Sequence, residues 1–175
     1  MFKKAFIMLM QEKDYNHITV TDIVTRADYN RATFYLHYKY KEELVKEIME
    51  EMINGLAKGF HRFFKHLSLI HPASISGADI YLFNFILENV DFFKLWTDTN
   101  TIPNFYEKFV QTIEQILKEE LTNVEKEEIA VNSQLLIVFQ VYGIIGLIVE
   151  WIKSDFQASP HYMAQQLITL LNYYS

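Results

Sequence analysis

The chain has no cysteine, three prolines and only five glycines among its 175 residues. The absence of cysteine excludes disulfides and thiol chemistry, and it fits a protein that works in the cytoplasm. Proline and glycine interrupt regular secondary structure, so their scarcity favours long helices. Half of the residues are hydrophobic and 22% are charged, which is enough for a packed core.

Long apolar runs are also missing. The most apolar stretch, residues 135–149, is shorter than the roughly 18 residues that indicate a membrane span. It also contains Gln140 and two glycines. We therefore expect it to form a buried helix and expect the protein to have no membrane partner.

Charge is distributed unevenly along the chain. The net charge is −6, but residues 1–47 hold eight basic and seven acidic side chains and sum to +1. Residues 29–41 contain Arg31, His37, Lys39 and Lys41 and no acidic side chain. A basic N-terminal patch on an acidic body is typical of a DNA-binding protein with a separate regulatory domain.

The apolar spacing predicts an all-α fold with about nine helices. Thr19 followed by Asp22 resembles a capping box, and Asn30 is a good N-cap for a further helix. We predict a helix-turn-helix DNA-binding domain at residues 1–47 and a regulatory and dimerisation domain at residues 48–175, with His71-Pro72 ending the fourth helix. The predicted helices cover residues 2–12, 19–26, 31–37, 41–70, 76–89, 91–97, 103–121, 124–154 and 160–173.

Residues 19–44, TVTDIVTRADYNRATFYLHYKYKEEL, carry the chemistry expected of a helix in the DNA major groove. Arg31 and Thr33 can reach base edges, because a guanidinium and a hydroxyl pair with base acceptors. Tyr35 and Lys41 suit phosphate contacts, as does His37. We interpret Tyr38 as a packing residue, and we leave Tyr40 open between packing and phosphate contact.

This stretch resembles the N-terminal domain of the TetR family of bacterial transcription regulators, most specifically in its FYLHYKYKEEL part. The resemblance implies that the protein binds double-stranded DNA through Thr21, Arg31, Thr33, Tyr35, His37 and Lys41. One departure is the turn, which is usually Gly followed by a small apolar residue and is Asp28-Tyr29 here. Since Asp tolerates a left-handed backbone, we expect the turn to be kept.

The remainder of the chain is similar to one regulatory subtype of that family, to which dihydroxyacetone-kinase regulators belong. The similarity lies in ENVDFFKLW, NFYEKFVQTIEQIL and VYGIIGLIVEWIKSDFQASPHYMAQQLITLL. The resemblance implies a homodimer that pairs through the last two helices. Packing within one chain is the alternative for these residues. The interface candidates are Gly143, Gly146, Leu147, Trp151, Leu167 and Leu171.

Polar side chains among the C-terminal aromatics are candidates to bind an effector, because buried polar groups need partners. They could equally face solvent or a dimer partner, and most of the aromatics are expected to be core. The ligand candidates are Asn84, Asn89, Trp96, Phe109, Gln134 and Tyr142.

The six histidines show no i, i+4 pair and no adjacent carboxylate, and no nucleophile elbow or phosphate loop is present. We therefore expect no enzyme activity, no metal and no cofactor. The favoured function is a homodimeric, ligand-responsive repressor that binds a near-palindromic operator. The alternative is a helical co-regulator that works through a partner protein instead of a small-molecule inducer.

Overall fold

The structure, a computed structural model, describes residues 1–67, 80–97, 102–122 and 132–173. These residues form nine α-helices and two short 3₁₀ helices, at Tyr15–His17 and Lys94–Thr97, and they contain no strand. The all-α prediction is confirmed. The helices are α1 Phe2–Met10, α2 Val20–Ala27, α3 Arg31–His37, α4 Lys41–Leu67, α5 Tyr81–Glu88, α6 Val90–Phe93, α7 Phe105–Thr122, α8 Ser133–Lys153 and α9 Pro160–Tyr173.

The helix boundaries follow the sequence closely where local chemistry sets them. Thr19 and Asn30 cap α2 and α3, and α4 and α9 begin as predicted at Lys41 and Pro160. The seventh helix begins at Phe105 instead of Pro103, because Asn104 has a left-handed backbone with φ 63° that no helix continues through. The predicted helix parts at 76–79 and 124–131, and His71-Pro72, lie outside the described residues.

The chain divides into two compact units. The first comprises Met1–Met52 and Val90–Phe105, and the second comprises Ile53–Asn89 and Tyr106–Ser175. Helix α4 contributes to both units. These units are defined by packing, whereas the predicted domains are defined by function, so the units do not test them. The boundary between a DNA-binding domain that ends at residue 47 and a regulatory domain that begins at residue 48 stays a prediction.

The first unit packs α1, α2 and α3 around a small apolar core. Phe6, Ile23 and Phe34 are fully buried there, and Leu44 at the start of α4 is buried as well. Helix α1 also packs against α6. Because these side chains come from one face of each helix, the opposite faces of α2 and α3 remain in solvent.

The second unit contains a close crossing of α4 and α5. A Cβ built on Gly55 would lie 2.0 Å from the Phe85 ring, and one on Gly59 would lie 3.0 Å from the Leu82 Cα. Only the missing side chains let α5 approach α4 this closely. Further along α4, the buried ring of Phe60 lies 6.1 Å from that of Phe109 on α7.

Helix α8 differs from its prediction in burial. It is 21 residues long, and the mean hydropathy of its most apolar stretch is 2.2, so by length and composition alone it could cross a membrane. Only 39% of that stretch is buried. Core helices of soluble proteins pass the same test, so this is weak evidence for a membrane span. The expectation of a buried helix holds for one face only, where Val141, Ile144 and Ile148 lie in the core.

Candidate nucleic-acid interface

A reciprocal capping box fixes the start of α2. The Asp22 backbone N–H donates to the Thr19 hydroxyl at 3.2 Å, and the Thr19 N–H donates to the Asp22 carboxylate at 2.7 Å. The Asp22 carboxylate also accepts from the Thr19 hydroxyl and pairs with Lys13 at 2.9 Å. These contacts hold the pKa of Asp22 far below its usual range, with the Thr19 side chain as the largest cause. The box leaves Thr21 exposed in the first turn.

The turn between α2 and α3 is kept in spite of its unusual sequence. Asp28 has φ 59° and ψ 46°, the left-handed conformation expected of it. The Tyr29 N–H donates to the Val24 carbonyl at 2.9 Å, which closes the end of α2. Asn30 then caps α3 by accepting from the Thr33 N–H at 2.8 Å.

Helix α3 is anchored through a single fully buried side chain. Phe34 is 0% exposed, and its ring lies 5.3 Å from Phe2 and 5.4 Å from Tyr38. Tyr38 is half-buried, as its packing role predicts. Because α3 has only seven residues, this anchor turns Tyr35 and His37 outward, and both are exposed.

Two of the predicted DNA contacts meet each other. The Arg31 guanidinium donates a hydrogen bond to the Thr21 hydroxyl, which joins the first turn of α2 to the first turn of α3. The Thr21 O–H hydrogen remains available as a donor, and Arg31 has further N–H groups to offer. Both side chains are exposed.

Thr33 is less available than the sequence suggested. Its hydroxyl lies 3.0 Å from the Asn30 carboxamide oxygen, to which it donates, and the residue is half-buried. The hydroxyl oxygen can still accept a hydrogen bond. Thr33 is therefore suited to accept from a base amino group and not to donate to a phosphate.

Lys41 is held by the segment that precedes α2. Its ammonium donates to the Tyr15 backbone carbonyl at 2.8 Å and lies 4.1 Å from the centre of the Tyr15 ring. Two of its three N–H groups remain for a phosphate. Sequence reasoning missed Tyr15, because nothing in the spacing of residues 26 positions apart signals such a contact.

A second network, also missed, joins α1, α4 and the end of α3. The Lys3 ammonium pairs with Glu47 at 2.8 Å and Glu51 at 2.7 Å, and the Tyr38 hydroxyl donates to Glu47 at 2.6 Å. These hydrogen bonds lower the pKa of Glu47, with Lys3 the largest cause. Burial first, and then the bond to Glu47, raise the pKa of Tyr38 to about 12. The network fixes the helix that carries Lys41 relative to α3.

The six predicted ligand residues are spread over the fold. Trp96 lies in the first unit, beside Phe92 and Phe105, at a cavity of only about 10 Å³. Phe109 is fully buried, and Tyr142 is 54% exposed on α8. The others lie on α5, at its end and on α8: Asn84 is half-buried, the Asn89 amide donates to the Phe85 carbonyl, and Gln134 is exposed and contacts Glu114.

The predicted interface residues comprise an exposed pair, a buried set of three and one residue of intermediate exposure. Gly143 and Gly146 are exposed on α8, and a Cβ at either would meet nothing within 4 Å. Trp151, Leu167 and Leu171 are buried in the second unit, where the Trp151 indole N–H donates to the Ala158 carbonyl at 2.9 Å. Leu147 is intermediate. The exposed group shares its face with large apolar side chains that sequence reasoning had not assigned to an interface: Leu135, Val138 and Phe139.

This fold and exposed face define a helix-turn-helix transcriptional regulator. Residues 4–48 match the family model described as bacterial regulatory proteins of the tetR family, and residues 78–173 match the one described as a transcriptional regulator C-terminal region. The chain belongs to the TetR family. Both models describe regulators and not enzymes, as predicted.

Two curated regulators are similar to this chain in sequence, and a solved structure shares its fold. The HTH-type regulator YxbF of Bacillus subtilis is 24% identical over 97% of this chain, which spans 43% of that protein's length. The biofilm operon icaADBC negative regulator IcaR of Staphylococcus epidermidis is 28% identical over 85% of this chain and 76% of that protein. The dihydroxyacetone kinase operon activator DhaS has a similar fold, with a TM-score of 0.65 and 21% identity, covering 98% of this chain and 92% of that one.

Proposed function

We propose that the protein is a homodimeric, effector-responsive repressor that binds a near-palindromic operator in the cytoplasm. The observation that carries the proposal is the exposed face of α3. Arg31, Tyr35 and His37 are exposed on this helix, whose one fully buried side chain is Phe34. In this geometry the side chains of the second helix of a helix-turn-helix can enter the major groove.

The proposed DNA contacts are of two kinds, contacts to base edges and contacts to phosphates. In this proposal Arg31, which bonds to Thr21, reads a base edge, whereas Tyr35 and Lys41 contact phosphates and hold the register. The local charge agrees, since residues 29–41 contain basic side chains and no acidic one. Phosphate attraction can therefore act on this part of the chain in spite of the net charge of −6.

The outer face of α8 supports a dimer. Leu135 is 64% exposed, Phe139 57% and Tyr142 54%, and Gly143 and Gly146 lie open beside them. A continuous apolar strip of this kind is costly in water and marks an interaction surface. A second copy of the chain would bury it by two-fold symmetry, and the glycines would permit close approach of the two α8 helices.

Repression and effector response are proposed on separate grounds. IcaR, which is 28% identical over 85% of this chain, is a negative regulator. A cleft of about 390 Å³ lies between α4 and α7, with an apolar floor of Ile53, Ala57 and Ile116 and a polar rim that includes His61 and Lys108. An effector in this cleft could release the operator only if it bound more tightly to one conformation of the dimer. In that conformation the spacing of the two helix-turn-helix domains would not match the operator.

The experiment that tests the function is selection from random double-stranded DNA with the purified protein. We expect a motif with two related half-sites about one helical turn apart, bound by two chains. Enrichment of no sequence would overturn the proposal. It would favour the alternative, a helical co-regulator that acts through a partner protein and uses the α8 strip for that partner.

A further inference from the structure

The most exposed large apolar side chain in the described residues lies on α3, the helix that we propose enters the major groove. Leu36 is 83% exposed, more than Met1 at the chain start. It is the sixth of the seven residues of α3, and it follows directly on exposed Tyr35. A leucine side chain cannot hydrogen-bond to water, so contact with an apolar partner on this face would be favourable.

Leu36 is not an isolated surface leucine. Three other large hydrophobic side chains are exposed nearby in sequence, Tyr29, Tyr35 and Tyr40. Each tyrosine carries a hydroxyl that can bond to a phosphate or to water, so its exposure has a polar explanation. Leu36 has no polar group. Among the exposed side chains of residues 28–40, it is the largest that carries no polar atom.

DNA offers one apolar group on the floor of the major groove, the C5 methyl of thymine. Ala32 lies four residues before Leu36 and is also exposed, so the two side chains form one apolar strip along α3. Arg31 begins the parallel strip, which continues at Tyr35. The exposed face of α3 therefore has an apolar side, formed by Ala32 and Leu36, next to a polar side, formed by Arg31 and Tyr35.

We infer that Leu36 is a specificity-determining residue that reads a thymine methyl in each operator half-site. The inference rests on the proposed function, because it requires α3 to lie in the major groove. Arg31 would select a guanine through its guanidinium, while Leu36 would select thymine by excluding water from its methyl group. Removing that interaction should cost about fourfold in affinity per half-site, the value of one buried methyl group.

The first experiment compares selected motifs. Wild-type protein, Leu36→Ala and the control Leu87→Ala are each used to select from random DNA. Leu87 is a leucine on α5 whose exposure is 39%. It lies outside both the helix-turn-helix and the exposed apolar strip of α8. We expect the Leu36→Ala motif to lose its preference at one thymine per half-site, and the Leu87→Ala motif to match the wild type.

The second experiment removes the methyl group itself. Deoxyuridine replaces that thymine in both half-sites of the wild-type operator, which deletes the methyl and keeps the Watson–Crick pair. Wild-type protein should bind this DNA about sixteenfold more weakly, the product of two fourfold losses. Leu36→Ala should bind the two DNAs within about twofold, since its shorter side chain cannot reach the methyl.

A third variant keeps the inference falsifiable if alanine disturbs α3. Leu36→Asn should shift the preference at that position from thymine to adenine, because an asparagine amide pairs with the adenine edge. Identical motifs from all variants, or equal uracil sensitivity of wild type and Leu36→Ala, would overturn the inference and leave DNA binding intact. If wild-type protein selects no motif, the proposed function itself fails. If Leu36 docks onto a protein partner instead, the variants will select the wild-type motif.

Discussion

The Arg31 guanidinium donates a hydrogen bond to the Thr21 hydroxyl, so the first turns of α2 and α3 are joined through two exposed side chains. An unrestrained arginine loses rotamer freedom when it binds. Here part of that cost is met before DNA arrives, because Thr21 already limits the direction of the guanidinium. The bond makes Thr21 a positioning residue for Arg31 as well as a candidate contact.

Thr21→Val should weaken operator binding through Arg31. Valine keeps the shape of threonine and removes the acceptor, so Arg31 loses its orientation. We expect Arg31→Ala to lower operator affinity by about 1–3 kcal/mol per half-site, with a smaller loss for Thr21→Val. Titrations of the selected operator and of random DNA at one salt concentration measure both effects. In the Arg31→Ala background, Thr21→Val should change operator preference no further, and additive losses would exclude the coupling.

Lys41 should contribute to folding as well as to DNA binding. Lys41→Met removes the bond to the Tyr15 carbonyl and the interaction with its ring, and we expect a loss of about 1 kcal/mol in the free energy of unfolding. Removing one phosphate neighbour per half-site should also reduce the salt slope of DNA binding by about 0.9 for each phosphate. Lys46→Met is the matched control, since the Lys46 side chain is 71% exposed and lies 3.8 Å from the Glu50 carboxylate. Urea unfolding and a salt titration separate the two effects, and equal unfolding free energies for both variants would contradict the structural role.

Much of the structure of residues 1–47 could be predicted, because the contacts that fix its helix ends and turn are local. The capping contacts of Thr19, Asp22 and Asn30 each span only a few residues, as does the left-handed turn at Asp28. They could therefore be predicted from the sequence. Lys41 meets Tyr15 only when the 3₁₀ helix Tyr15–His17 lies against α4, and Lys3 meets Glu47 only when α1 lies beside α4. No short-range pattern encodes either contact. Helix α8 shows the same limit, since its apolar composition could not reveal that only one face is buried.

The glycines of α4 and α8 should respond oppositely to alanine. Gly55→Ala places a methyl on the Phe85 ring, which must move, and we expect a loss of about 1–3 kcal/mol in unfolding free energy. Gly143→Ala meets nothing within 4 Å in the single chain, so helix propensity should stabilise it by about 0.5–1 kcal/mol. If the α8 strip is the dimer interface, Gly143→Ala should nevertheless weaken dimerisation. Thermal unfolding at high dilution and sedimentation at several concentrations test the pair, and an unchanged dimer would place the interface elsewhere.

The network of Lys3, Tyr38 and Glu47 should make the stability of the fold depend on pH at both extremes. The pKa of Glu47 is lowered by its bonds to Lys3 and Tyr38, so its contribution is present above about pH 4.5 and is lost as the pH falls. The pKa of Tyr38 is raised from 10.0 to about 12, so its contribution is present below pH 10 and is lost between pH 10 and 12. The raised pKa of Lys3 acts in the same direction on the alkaline side.

Tyr38→Phe should therefore flatten the alkaline loss of stability without abolishing it, because Lys3 and Glu47 still pair. Glu47→Gln should reduce the acid loss as well as the alkaline one. Each effect should stay below about 1 kcal/mol, since the Lys3 and Glu47 side chains are 33% and 49% exposed and water screens the pair. Urea unfolding from pH 3 to 12 provides the measurement. Tyr35→Phe is the control, because Tyr35 is 53% exposed and lies outside this network. If Tyr38→Phe and Tyr35→Phe give curves parallel to the wild type, the Tyr38–Glu47 bond does not stabilise the head in solution.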